Sequence, residues 1–166
     1  MTPSESSNSE SATRCVLRWL AAALAAVSLA GCIYDVPVTA GATRNIDARL
    51  VGDWASADGK ENVRIRELNG TTYLVLLNGD PFRVYHSDHA GVSFVTAQDL
   101  DGPAQKFAYL KYALSADGQK LTVYAVNAET IPKTLKTSGE VRRLLRQNLA
   151  NPKLFVEDPL ELVKRK

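Results

Sequence analysis

Few side chains in this sequence are of types that do chemistry. The 166 residues include two histidines and two cysteines, which leaves little for metal or nucleophilic sites. His86, Asp88 and His89 stand close together after a run of strand-forming residues. Two imidazoles with a carboxylate between them are the kind of group that holds zinc or copper. At a turn, however, positions i and i+3 need not converge, and no third strong ligand follows, so His86 and His89 are weak metal candidates beside a plainer reading as surface turn residues. Asp99 and Asp101 stand just before Gly102-Pro103, at a turn where carboxylates that accept from nearby backbone N–H groups explain the pair without catalysis. No Gly-x-Ser-x-Gly is present, so the strained nucleophile turn of many hydrolases is missing. The expectation is a non-enzyme with no cofactor.

Aromatic residues offer the other candidate site. Trp54, Tyr73, Tyr85, Phe94, Tyr109, Tyr112 and Tyr124 recur within strand-like segments. Most are core by default, and Trp54, Tyr73, Tyr109 and Tyr124 are the candidates to line a small apolar pocket or the core. Charge argues against one class of partner: 20 basic against 18 acidic residues give +2, without the basic excess that nucleic-acid binding requires.

Turn signals and periodicity define the elements that would carry these residues. At 166 residues, 45% hydrophobic and 23% charged, the chain fits one globular domain. Asp58-Gly59, Asn69-Gly70, Asn78-Gly79, Asp88 to Gly91, Asp101-Gly102 and Asp117-Gly118 recur about one strand and one turn apart, and such pairs supply positive φ for tight hairpins. They bound strands over 49–54, 62–68, 71–77, 82–86, 92–98, 107–114 and 121–127, with 160–165 as a short closing strand or a tail. Val63 and Ile65 alternate with Arg64 and Arg66, the pattern of a strand buried on one face. After the strands the period changes. Thr137 and Glu140 form a capping-box pattern, Val141, Leu144, Leu145 and Leu149 share a helical stripe, and Asn151-Pro152 ends the helix. This predicts a mainly β fold: an antiparallel meander of seven to eight short strands in a small or partly open barrel. One C-terminal amphipathic helix packs on the sheet over an open end. Lys164, Arg165 and Lys166 read as a solvated basic end, with contact to anionic headgroups as the alternative.

Residues 1–31 have a different character. A polar, Ser-rich start is followed by Arg14 and Arg18, then by an apolar run of about 11 residues from Trp19 to Leu29. That run is short of the ~20 residues of a membrane-spanning helix and fits the core of a secretory signal peptide. It ends in Leu29-Ala30-Gly31-Cys32, which resembles the lipobox of bacterial lipoproteins. The resemblance implies cleavage before Cys32, acylation of Cys32 on sulfur and on the new amino group, and anchoring to a membrane through those chains. It implies a place in the bacterial cell envelope, and Ile33 rather than Asp after the cysteine favours the periplasmic face of the outer membrane over the inner membrane. Residues 32–47 then read as the lipidated cysteine and a tether holding the 48–166 domain on the order of 20 Å from the bilayer. Gly52-Asp53-Trp54 resembles the first motif of lipocalin-like barrels, where the Trp closes the barrel floor. The chain is also similar to small bacterial lipoproteins that begin with Leu-Val-Gly-x-Trp, a likeness that brings no activity with it. Three functions stay open. The favoured one is a non-enzymatic interaction or structural module, whose partner is an envelope protein. A carrier of a small apolar ligand is the alternative, and a metal-binding or enzymatic role is the least favoured.

Overall fold

The turn dipeptides fold the chain as their spacing requires, into strands that each pair with the next. A computed structural model describes residues 33–102 and 104–166. Residues 1–31, read above as a signal peptide, and Cys32, read as the lipidated residue, lie outside them. The strands are β1 (Gly52–Ala55), β2 (Asn62–Asn69), β3 (Thr72–Leu77), β4 (Asp80–His86), β5 (Phe94–Asp99), β6 (Phe107–Leu114), β7 (Lys120–Ala125) and β8 (Leu160–Lys164), with helix α1 (Ser138–Gln147) between β7 and β8. All neighbours are antiparallel, and β8 pairs back onto β1 to close an eight-stranded barrel. The expected meander is therefore a fully closed barrel, which leaves no unpaired sheet edge.

Local chemistry sets the element ends. Asn78 and Gly79 adopt φ of 53° and 106°, as a two-residue hairpin turn requires. Asn69-Gly70 needs no such angle: the strand register shifts by a bulge there, and Asn69 Oδ1 accepts from Thr71 N. The first strand begins later than the apolar pattern predicts, because the Asp47 carboxylate accepts from Arg49 N and caps a 3-10 turn over Ala48–Leu50. The capping box at the start of α1 is present, with Thr137 and Glu140 bonding each other's backbone N–H.

Two apolar cores lie on opposite sides of one sheet. Inside the barrel, Trp54, Val63, Ile65, Tyr73, Val84, Val95, Leu121 and Leu162 pack together. Outside it, Phe94 of β5 and Tyr109 of β6 pack with Tyr34, Val38, Ile131, Val141, Leu145 and Leu154. This second core corrects two expectations. Helix α1 does not lie over a barrel end; its apolar stripe covers the outer wall of β5 and β6. Nor are residues 33–47 a free tether. Tyr34 is 1% exposed and Val38 is fully buried, Tyr34 pairs with Phe107 in a β-bridge, and its ring stacks on Tyr109 at 4.0 Å. The strap is then fixed by Ser138 Oγ donating to Pro37 O, Arg142 to Val38 O, and Tyr85 Oη to Thr39 O. Its few apolar residues bury one by one, a pattern without period.

The ends of the barrel differ. At the floor end, the turns β2–β3 and β4–β5 meet residues 33–47, the strap, as it crosses toward β1, with Thr43 N donating to His86 O and Ile46 N to Gly70 O; the β6–β7 turn lies at the same end. The hairpins β1–β2 and β3–β4 lie at the opposite, entry end, beside which Tyr34 joins the first residue of β6. Both cores and all the strands among the described residues fall within 33–166, which forms one compact unit, so this part holds what it needs to fold alone.

Because Leu145 is fully buried and Arg143 is exposed, Leu145→Asp places an unpaired charge in the outer core. It should cost more than ~3 kcal/mol, whereas Arg143→Asp should stay within about 0.5 kcal/mol of the parent. Thermal melts of the two variants check this, and an unchanged midpoint for Leu145→Asp would mean that the stripe does not pack on the barrel.

Candidate functional site

The barrel closes on a single aromatic residue. Trp54 on β1 is 1% exposed, and its indole N–H donates to Leu50 O at 2.9 Å, so its one polar atom is satisfied inside the core. Lys164 of β8 sits opposite Trp54 in the strand register. Its ammonium lies 5.2 Å from the indole centroid and donates to Arg49 O at 2.8 Å, a cation-over-ring contact. Gly52 makes room for this arrangement: it holds φ +148°, and a Cβ there would fall 2.7 Å from Lys164 Cε. The spacing of Gly52 and Trp54 thus has a cause in the lysine that passes between them. Lys164, read from sequence as part of a solvated end, is turned inward.

Next to this seam, a polar network fills the floor. His86 on β4 is fully buried, and its Nε2 lies 3.0 Å from Tyr73 Oη. Tyr73 Oη also accepts from Asp47 N, so the phenol oxygen joins the strap to the imidazole of β4. Among the described residues, His86 Nδ1 and Asp88 Oδ1 are buried without hydrogen-bond partners. Arg44 spans the network, donating from Nε to Asp88 at 3.0 Å and from Nη2 to Tyr112 Oη at 3.3 Å. Burial, and then the Arg44 charge, hold His86 below its usual pKa, while burial pushes Tyr73 up to about 12. Both groups are thus neutral near pH 7 and lie beneath the strap, an arrangement that seals the barrel end.

The sequence-predicted site residues divide between the two faces of the sheet. Trp54 and Tyr73 face inward; Tyr109 points outward and is buried under the strap. Tyr124 also faces outward and is half-buried, its ring 6.4 Å from Phe155 with Lys111 5.1 Å above it. The four therefore do not line one pocket. His86 and His89 separate as well, because His89 Nε2 pairs with Arg142 O on α1. Among the described residues, no three His, Cys, Asp or Glu side chains gather as metal ligands. Asp99 does what its turn position predicts, accepting from Asp101 N and Gly102 N. Cys32 lies outside the described residues.

Sequence reasoning missed a groove of about 630 Å³ along the outer side of β1, β2 and β3. Lys60 and Arg64 line it together with Arg165 and Lys166, and Asp53 is the acidic group in its wall. Asp53 is shared by Arg66 at 2.7 Å and Arg64 at 3.4 Å, and the Arg66 hydrogen bond is the main reason its carboxyl titrates below the ordinary range. The four lining cations are far apart in the chain, so no local motif announces them. Comparison with protein-family models, with curated proteins and with solved structures finds no match.

Two outcomes follow. Trp54→Ala should cost ~3–5 kcal/mol, and Gly52→Ala about 1–3 kcal/mol through backbone strain and displacement of Lys164, both measured by urea unfolding. The second concerns pH. Because the folded pKa of His86 lies below the unfolded value of about 6.5, its contribution to stability is complete above pH 6.5 and declines as pH falls through that value. Unfolding midpoints at pH 7.5 and 5.5 should show this decline in the parent and a reduced one in His86→Gln.

Proposed function

We propose that this chain is a bacterial envelope lipoprotein, anchored to a membrane through acyl chains on Cys32, whose barrel is a non-enzymatic interaction or structural module. The observation that carries this reading is a barrel interior occupied at the floor by its own side chains. Trp54, Tyr73, Leu121 and Leu162 are each 3% exposed or less, and an eight-stranded barrel is narrow enough for its own side chains to fill. Recognition then falls to the outer surface, where the basic groove is. The titratable groups are either sealed beneath the strap or solvated, which speaks against an open catalytic cleft. The strands have eight residues at most, short of the 9–11 of a membrane-crossing strand, and Asp53, Arg64 and Arg66 occupy the outer face of β1 and β2. This wall suits water better than hydrocarbon, which is consistent with attachment by lipid alone. No helix among the described residues is long and apolar enough to cross a membrane. The residue after the cysteine, Ile33, favours the periplasmic face of the outer membrane.

A second reading has one specific observation behind it. Toward the entry end, the inward-facing Val75, Leu77 and Phe82 are only half-buried, so a small apolar ligand would find apolar walls there.

Replacing Cys32 by Ser should abolish labelling with radioactive palmitate and move the protein from the membrane to the soluble fraction. A variant that stays in the membrane and labels as before rules out this anchor. Titration of the barrel with an apolar fluorescent probe, displaced by palmitate, tests the second reading; the filled-barrel proposal expects no saturable binding.

A further inference from the structure

The groove beside β1 carries more positive charge than its own contacts neutralise. Arg165 and Lys166 are in no ion pair among the described residues, while Lys60 meets Asp58 at 3.1 Å and Arg64 meets Asp53 at 3.4 Å with most of each cationic side chain still exposed. Adding the groups that touch the lining residues, Arg66 on Asp53 and Glu61 on Asn78, leaves five cationic side chains (Lys60, Arg64, Arg66, Arg165, Lys166) against three side-chain carboxylates (Asp53, Asp58, Glu61), and the balance stays positive when the α-carboxylate that ends residues 33–166 is counted. Asn62 and Asn78 complete the lining at the hairpin end, where the Asn78 amide donates to Glu61. Guanidinium and ammonium groups in an open concavity suit the oxygens of a phosphate ester.

The groove's position selects the source of that phosphate. Lys60, Asn62 and Asn78 belong to the β1–β2 and β3–β4 hairpins, and Tyr34 enters the fold beside Phe107 at the same end of the barrel. The strap is packed, so a lipid on Cys32, two residues before Tyr34, would bring this end to the bilayer surface. We propose that the groove seats the phosphates of anionic phospholipid headgroups and so holds the barrel in one orientation against the membrane. The inference rests on the proposed anchoring only for which surface is presented; the charge of the groove is independent of it.

The test uses residues 33–166, which lack the cysteine, so binding does not depend on acylation. This protein should co-sediment with phosphatidylglycerol vesicles at low salt and not with phosphatidylcholine vesicles. Arg64→Ser combined with Arg165→Ser should weaken that binding about ten- to thirtyfold. Arg143→Ser combined with Arg146→Ser, which removes the same charge from the exposed face of α1, should weaken it less than about threefold. Lys60→Ser with Lys166→Ser, both outside the packed core, repeats the groove test should the arginine pair reduce the thermal midpoint. Equal loss from the groove and helix variants would overturn the proposal in favour of diffuse attraction. So would absence of vesicle binding, or competition by millimolar inorganic phosphate that matches the vesicles in effect. Failure of palmitate labelling at Cys32 would remove the anchor and leave these outcomes unchanged, which keeps the two readings separable.

Discussion

The barrel depends on one contact across its seam, the Lys164 side chain lying over the indole of Trp54. A meander of eight strands closes only if the last finds the first, and here the two share a short register of Trp54 with Lys164 and Ala55 with Val163. So brief a ladder gives little specificity by hydrogen bonding alone. The fit of a lysine stem between Gly52 and an aromatic ring supplies the rest, and the ammonium is accepted by Arg49 O in the 3-10 turn before β1. Closure, floor and first turn are thus one packing unit, with Trp54 bonded to the same turn through Leu50 O.

Once the barrel is closed, its wall has an unusual division of labour. The outer side of β5 and β6 carries Phe94, Phe107 and Tyr109 and is covered by the strap and α1, while the outer side of β1 and β2 is charged and bare. A sheet with apolar residues on both faces must be covered on both. That need explains why a fold of this size spends fifteen N-terminal and about thirty C-terminal residues on one flank. It also leaves the opposite flank, among the described residues, open to solvent.

Most strand boundaries and the helix cap were legible in the sequence, because hairpin dipeptides and a capping box act locally. Which face of a strand points inward was legible for β2, where Arg64 and Arg66 mark the wet side. It was not legible for β6 and β7, where Tyr109 and Tyr124 look like core from their neighbours but belong to an outer layer. The strap escaped detection because Tyr34 and Val38 bury singly, with no period to register. The groove escaped for a different reason: its cations come from residues 60, 64, 165 and 166, and only barrel closure makes them neighbours. His86 and His89 illustrate the same limit, since three residues of chain separate a floor residue from one that faces the helix.

The buried strap changes the mechanics of the molecule. Residue 32 is two positions before Tyr34, a reach of about 7 Å even when fully extended. A pull at that residue is therefore not absorbed by slack chain. It arrives at a stacked tyrosine pair and a bridge to β6, spread along Pro37, Val38 and Thr39, which α1 and Tyr85 clamp from their backbone oxygens. Force would load these bonds together before it reached the barrel, so attachment at this point would transmit torque as well as position.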